Sequence, residues 1–127
     1  MKTLLFLLPF LAMTVGENPN LASITKAISN GDAAAISTYM DANVELNLLG
    51  KQDLYNKSQA TQALNDFFSK NKPRNFNSGH VGSSKGNNSH YITGDLTTSG
   101  GNFRVYLYYN TDGGDKLVIK EIRIEKN

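Results

Sequence analysis

Four stretches in the second half of this 127-residue chain alternate apolar with polar residues: Phe76 to Gly82, Tyr91 to Thr98, Phe103 to Tyr109 and Leu117 to Glu125. They are joined by SKGNNS, SGGN and TDGG, which are hairpin chemistry. A period of two sends successive side chains to opposite faces of a strand. The chain is therefore held to a four-stranded meander with one buried face, and the rest of the fold must supply what covers it.

The first half supplies helices. Leu21, Ile24, Ala27 and Ile28 recur at helical spacing, and Asn30-Gly31 ends that run. Asp32 N-caps a second helix, DAAAISTYM, with Ile36, Tyr39 and Met40 on one side. Val44, Leu46 and Leu48 alternate as a first strand, and Gly50 to Asn56 reads as a polar loop. Ser58 caps a third helix, whose Ala60, Ala63, Leu64, Phe67 and Phe68 form an apolar stripe that Pro73 brings to an end. The order α-α-β-α-β-β-β-β predicts an α+β domain, three helices packed on one face of a curved antiparallel sheet.

Residues 1–16, MKTLLFLLPFLAMTVG, have one lysine, an apolar run and then small residues, the layout of a signal peptide cleaved after Gly16. Residues 17–127 then make a single domain. The chain has no cysteine, so it has no disulfide framework and no lipid-bearing thiol. An exported, soluble protein without a membrane anchor is expected, periplasmic or extracellular. Loss of Lys2 brings the formal charge of +2 to +1, with lysines and acids interspersed, which gives no footprint for nucleic acid. Sequons stand at Asn56 and Asn87.

Even-length hairpin loops place odd positions of one strand opposite even positions of the next. One face then collects Val81, Ile92, Leu96, Phe103, Val105, Leu107, Tyr109, Val118, Ile122 and Ile124, and should bury against the helices. The other collects Phe76, His80, Tyr91, Asp95, Arg104, Tyr106, Tyr108, Leu117, Ile119, Glu121 and Arg123. A two-residue Ser99-Gly100 turn sets Asp95 opposite Arg104, and a two-residue Asp112-Gly113 turn sets Arg104 opposite Glu121. His80, Asp95, Arg104 and Glu121 then form a stripe across the sheet. Tyrosine and arginine among sparse aliphatics is the composition of an interface. A solvated face with ion pairs worth about 0–1 kcal/mol each, or a small-molecule site, are the other readings.

The YNKSQA…DFFSKNKP helix, FNSGHVGSSKG, YITGDL, TSGGNFRVYLYY and IKEIRIEK, taken in order from Leu21 to Lys126, resemble a family of uncharacterised exported Bacteroidetes proteins. That domain of unknown function is placed in the nuclear transport factor 2-like (cystatin-like, SnoaL-like) superfamily. Asp95 departs from the small neutral residue expected in YITGDL. The resemblance implies a cone in which the sheet wraps the helices, a concave side that often holds an apolar pocket, and an outer side that packs in dimers. Relatives of the ketosteroid isomerase kind keep a general-base carboxylate and a tyrosine in that pocket.

The residues offer little for such chemistry. The concave set contains His90 and Lys120, with Tyr39 or Tyr55 from the helical half, and no strand carboxylate. Two histidines without HxH or HExxH spacing make no metal site, and the glycine turns do not precede a helix as a phosphate cradle does. No cofactor is expected. The reading that results is a binding domain, not an enzyme, forming a homodimer through His80, Arg104, Tyr106, Tyr108, Glu121 and Arg123. The alternative is a small apolar ligand or an acid–base site inside the cone, lined by Tyr39, Leu64, Phe68, Phe103 and Val105.

Overall fold

The computed structural model describes residues 19–83, 88–112 and 116–127. The leader, its cleavage after Gly16, the sequon at Asn87 and most of the SKGNNS turn lie outside the described residues.

α1 spans Pro19–Asn30 and buries Ile24, Ala27 and Ile28. It ends at Gly31, whose φ of 68° is a backbone conformation that glycine adopts without a Cβ clash. α2 is shorter than the sequence suggests, covering Ala33–Ser37, with the Asp32 carboxylate accepting from the Ala35 N–H. The hydroxyls of Ser37 and Thr38 donate to the carbonyls of Ala34 and Ala35, each 2.8 Å away, which closes the helix locally. Met40 therefore opens a strand instead of ending a helix.

β1 (Met40–Leu48) turns at Leu49-Gly50 into β2 (Lys51–Asn56), which pairs antiparallel with it; the segment expected as a loop is a strand. α3 (Lys57–Lys70) is capped by Asn56, not Ser58. The Asn56 side chain accepts from Gln59 N–H at 2.8 Å, and the Gln59 side chain accepts from Asn56 N–H at 3.1 Å, a capping box. Then follow β3 (Pro73–Ser83), β4 (Ser89–Thr98), β5 (Gly101–Thr111) and β6 (Leu117–Lys126).

Among the described residues these strands form one six-stranded sheet in the order β2-β1-β6-β5-β4-β3. It is mixed and not wholly antiparallel, because β1 lies parallel to β6. The helices cover one face, where Ile24, Ile36, Val44, Leu46, Leu64, Leu96, Leu107, Ile119 and Ile124 form the core. The Phe67 ring meets the Phe103 ring edge-on at 5.1 Å, which joins α3 to β5. No helix among the described residues is long and apolar enough to cross a membrane.

Three irregularities set which side chains point where. The β4–β5 turn has two residues, so Asp95 opposes Arg104 as expected. The β5–β6 connection is longer: Thr111 pairs with Leu117, and the Asp112 N–H donates to the Lys116 carbonyl. That odd loop turns Leu117 and Ile119 inward, where they are 3 % and 0 % exposed, and leaves Val118 half-buried on the other side. A bulge at Lys120 then restores the parity. Ile122 and Ile124 therefore face the core, while Arg104 faces Glu125 and Tyr108 faces Glu121. A second bulge, between Ser78 and His80, brings Phe76 to the core side opposite Leu96. Phe76 crosses Gly94, where a Cβ would stand 2.5 Å from the ring. Val81 shares the face of Ile92 but sits on the edge strand and is 54 % exposed, not buried.

Candidate functional site

The register lays out the outer face in rows. One row runs Tyr91, Tyr108, Glu121, Glu45 and Leu54, from β4 across to β2. The next runs His80, Thr93, Tyr106, Arg123, Asn47 and Gln52. The third holds Asn77, Asp95, Arg104 and Glu125. Each strand alternates, so the neighbours of these residues along the chain are the core residues of the opposite face.

Arg123 is the centre of this surface. Its guanidinium carbon lies 5.4 Å from the centre of the Tyr106 ring, within cation–π range. Its Nη2 donates to Glu121 Oε2 at 3.4 Å, and Nη1 lies 3.8 Å from Glu125 Oε2. The Nε is buried with no acceptor among the described residues, so the ring and the two carboxylates hold the group. One row further, Arg104 Nε donates to Asp95 Oδ1 at 3.1 Å, and the Asn127 amide donates to the same oxygen. Glu45 accepts from the Gln52 amide.

Tyr91, Tyr106, Tyr108, Glu121 and Arg123 line a shallow depression of about 220 Å³. Tyr91 and Tyr108 are directly paired across β4 and β5, and both are 40 % exposed. The Tyr91 ring lies over Gly82, where no side chain fits beneath it. His80 is exposed, its ring 5.8 Å from that of Tyr91.

Four of the residues singled out from sequence, Tyr106, Tyr108, Glu121 and Arg123, therefore meet in one depression, with Arg104 and His80 at its borders. The predicted stripe His80–Asp95–Arg104–Glu121 does not form, because His80 opposes Thr93 and Arg104 opposes Glu125. Sequence reasoning missed Glu45 and Leu54. The alternation of Val44 and Leu46 points Glu45 outward, but Leu54 needed β2 to be recognised.

The interior residues lie elsewhere. Leu64, Phe68, Phe103 and Val105 are buried in the core, and Tyr39 sits half-buried in the turn between α2 and β1. Burial raises the pKa of the Tyr109 phenol. His90 stacks on Tyr109 with ring centres 5.3 Å apart and is half-buried. Its Nδ1 and Nε2 contact the hydroxyls of Ser83 and Thr111 at 3.1 and 3.2 Å. With both ring nitrogens on hydroxyls, His90 ties the β3–β4 hairpin to the end of β5. Among the described residues no three His, Asp or Glu side chains gather as a metal site.

This architecture is that of the nuclear transport factor 2-like proteins. An NTF-2 like protein of unknown function from Silicibacter pomeroyi superposes with a TM-score of 0.61 at 13 % identity, over 86 % of this chain and 91 % of that one. The family follows from closer relatives. The model of a domain of unknown function, DUF4783, matches residues 21–125, and the chain belongs to that family. A family protein from Bacteroides ovatus is 34 % identical with a TM-score of 0.77, over 84 % of this chain and 94 % of its own. One from Bacteroides uniformis is 30 % identical with a TM-score of 0.76, over 84 % and 95 %. No curated protein matches the chain significantly.

Proposed function

We propose that this protein is an exported binding module without catalytic activity, working in the periplasm or outside the cell, and that it self-associates through its outer sheet face. The observation that carries this reading is the outward row Tyr91–Tyr108–Glu121–Glu45–Leu54 beside the Tyr106–Arg123 pair. A solvated sheet does not need exposed Tyr91, Tyr108 and Leu54 in line. An interface does, because aromatic rings supply area at low entropic cost while charged pairs set register. The sheet edges are poor alternatives for pairing. β2 is short and carries Lys51 and Asp53, and β3 begins with Pro73 and is bulged twice. The signal-peptide layout of residues 1–16 supports export.

Native mass spectrometry of the protein isolated from its own host tests the reading. A dimer whose mass lacks residues 1–16 supports it. A monomer at all concentrations that retains a small molecule overturns it in favour of a ligand site.

A further inference from the structure

We infer that the self-association proposed above, on which this inference rests, is built on a reciprocal contact: Arg104 of each copy seats against Tyr108, Glu121 and Glu45 of the other. Within one chain the outer face already shows how it holds a guanidinium. Arg123 lies over the Tyr106 ring with Glu121 and Glu125 on either side of it. One row away a tyrosine and two carboxylates recur, and among the described residues no cation lies over the Tyr108 ring. The exposed Tyr108 ring stands in register beside Glu121, and Glu121 beside Glu45. Glu121 shares Arg123 with Glu125, and Glu45 beside it takes its hydrogen bond from the neutral Gln52 amide, so the Glu121–Glu45 pair carries more negative charge than Arg123 offsets.

The matching cation is on the same face and out of reach. Arg104 engages Asp95 through Nε, and among the described residues its two terminal nitrogens make no hydrogen bond. Arg104 and Tyr108 are four positions apart on β5, about 14 Å along an extended strand, with both side chains directed outward. One chain cannot close that distance with a single side chain. Two copies can, because a donor and an acceptor on one patch satisfy each other twice across a two-fold axis. The outward charges, Glu45, Asp95, Glu121 and Glu125 against Arg104 and Arg123, would repel if like rows met. Setting Arg104 on the Glu121–Glu45 corner removes that conflict.

The test is sedimentation at low salt, where such contacts are least screened. The proteins are the wild type, Arg104→Glu, Glu121→Arg, and the last two mixed in equal amounts. Each single variant should self-associate at least about tenfold more weakly than the wild type. The mixture should re-form dimers, because each copy then meets an opposite charge at both contacts. Arg104→Gln, which removes the charge without adding repulsion, should weaken association, and mixing it with Glu121→Arg should restore one of the two contacts and so recover less than the Arg104→Glu mixture does. Circular dichroism confirms that each variant is folded. If the wild type dimerises and the mixture stays monomeric, the reciprocal contact is wrong while the proposed function stands. If the wild type is monomeric throughout, the proposed function itself fails.

Discussion

Along β5, Phe103, Val105, Leu107 and Tyr109 point inward and are 4 % exposed or less, while Arg104, Tyr106 and Tyr108 alternate with them on the other surface, with Tyr108 40 % exposed. The same strand thus serves two unlike purposes. Inward, burial of a large apolar side chain contributes about 1.5–3 kcal/mol, and packing decides which residue fits. Outward, the exposed ion pairs contribute at most about 1 kcal/mol each. Stability accounts for the composition of the first face and leaves Arg104, Tyr106 and Tyr108 of the second unexplained. The proposed self-association accounts for them.

The largest expected effect lies inside. Phe103→Ala removes the ring that Phe67 meets edge-on and should cost about 3–5 kcal/mol in a denaturant titration. Tyr108→Ala, five positions along, should change stability by no more than about 0.5 kcal/mol. Equal losses at the two sites would erase the distinction between the faces. Next comes Gly94→Ala, which forces the Phe76 ring off the inner face and should cost about 1–3 kcal/mol.

Smaller, and of opposite sign, is Leu49→Gly. Leu49 has a φ of 55° and is 54 % exposed, a left-handed conformation that costs a bulky residue about 1–2 kcal/mol. Relief of that strain should raise the unfolding midpoint, partly offset by the greater freedom of glycine in the unfolded chain.

The smallest effect is at the β1–β6 junction, where Lys120 at its bulge donates to Asp41 at 2.6 Å. This hydrogen bond, with a second from the Ala42 N–H, holds the Asp41 carboxyl below its ordinary 3.8. A depressed carboxylate stabilises the fold above its unfolded value and loses that contribution as pH falls through the folded one. Both groups are about 40 % exposed, so Asp41→Asn should cost about 0–1 kcal/mol at pH 7. The difference from the wild type should shrink as pH falls below 3.8 and vanish once the pH is below the lowered folded value.

Sequence showed most of the inner face because burial enforces alternation, and it lost the pattern wherever one residue was inserted. Strict alternation sends Phe76, Leu117 and Ile119 outward and Val118 inward, because nothing in the residue types marks the bulges near Gly79 and Lys120 or the odd length of the β5–β6 loop. Glu121 and Arg123 kept their correct side only because loop and bulge shift parity twice. β2 was illegible for a different reason. KQDLYN lies at the sheet edge with almost every position exposed, so no buried face imposes a period, and its Leu54 points away from the core. The face carrying the proposed contact was therefore readable in its residue types, but its register, which decides who meets whom, came only from the fold.

Sedimentation and thermal unfolding of the wild type and Tyr106→Glu, measured side by side, test most directly whether the outer face exists to be covered. The account predicts a dimer for the wild type, a monomer for the variant, and unfolding temperatures of the isolated folds within a few degrees of each other. A variant that keeps the mass of a dimeric wild type, or a wild type that never exceeds monomer mass, would contradict it.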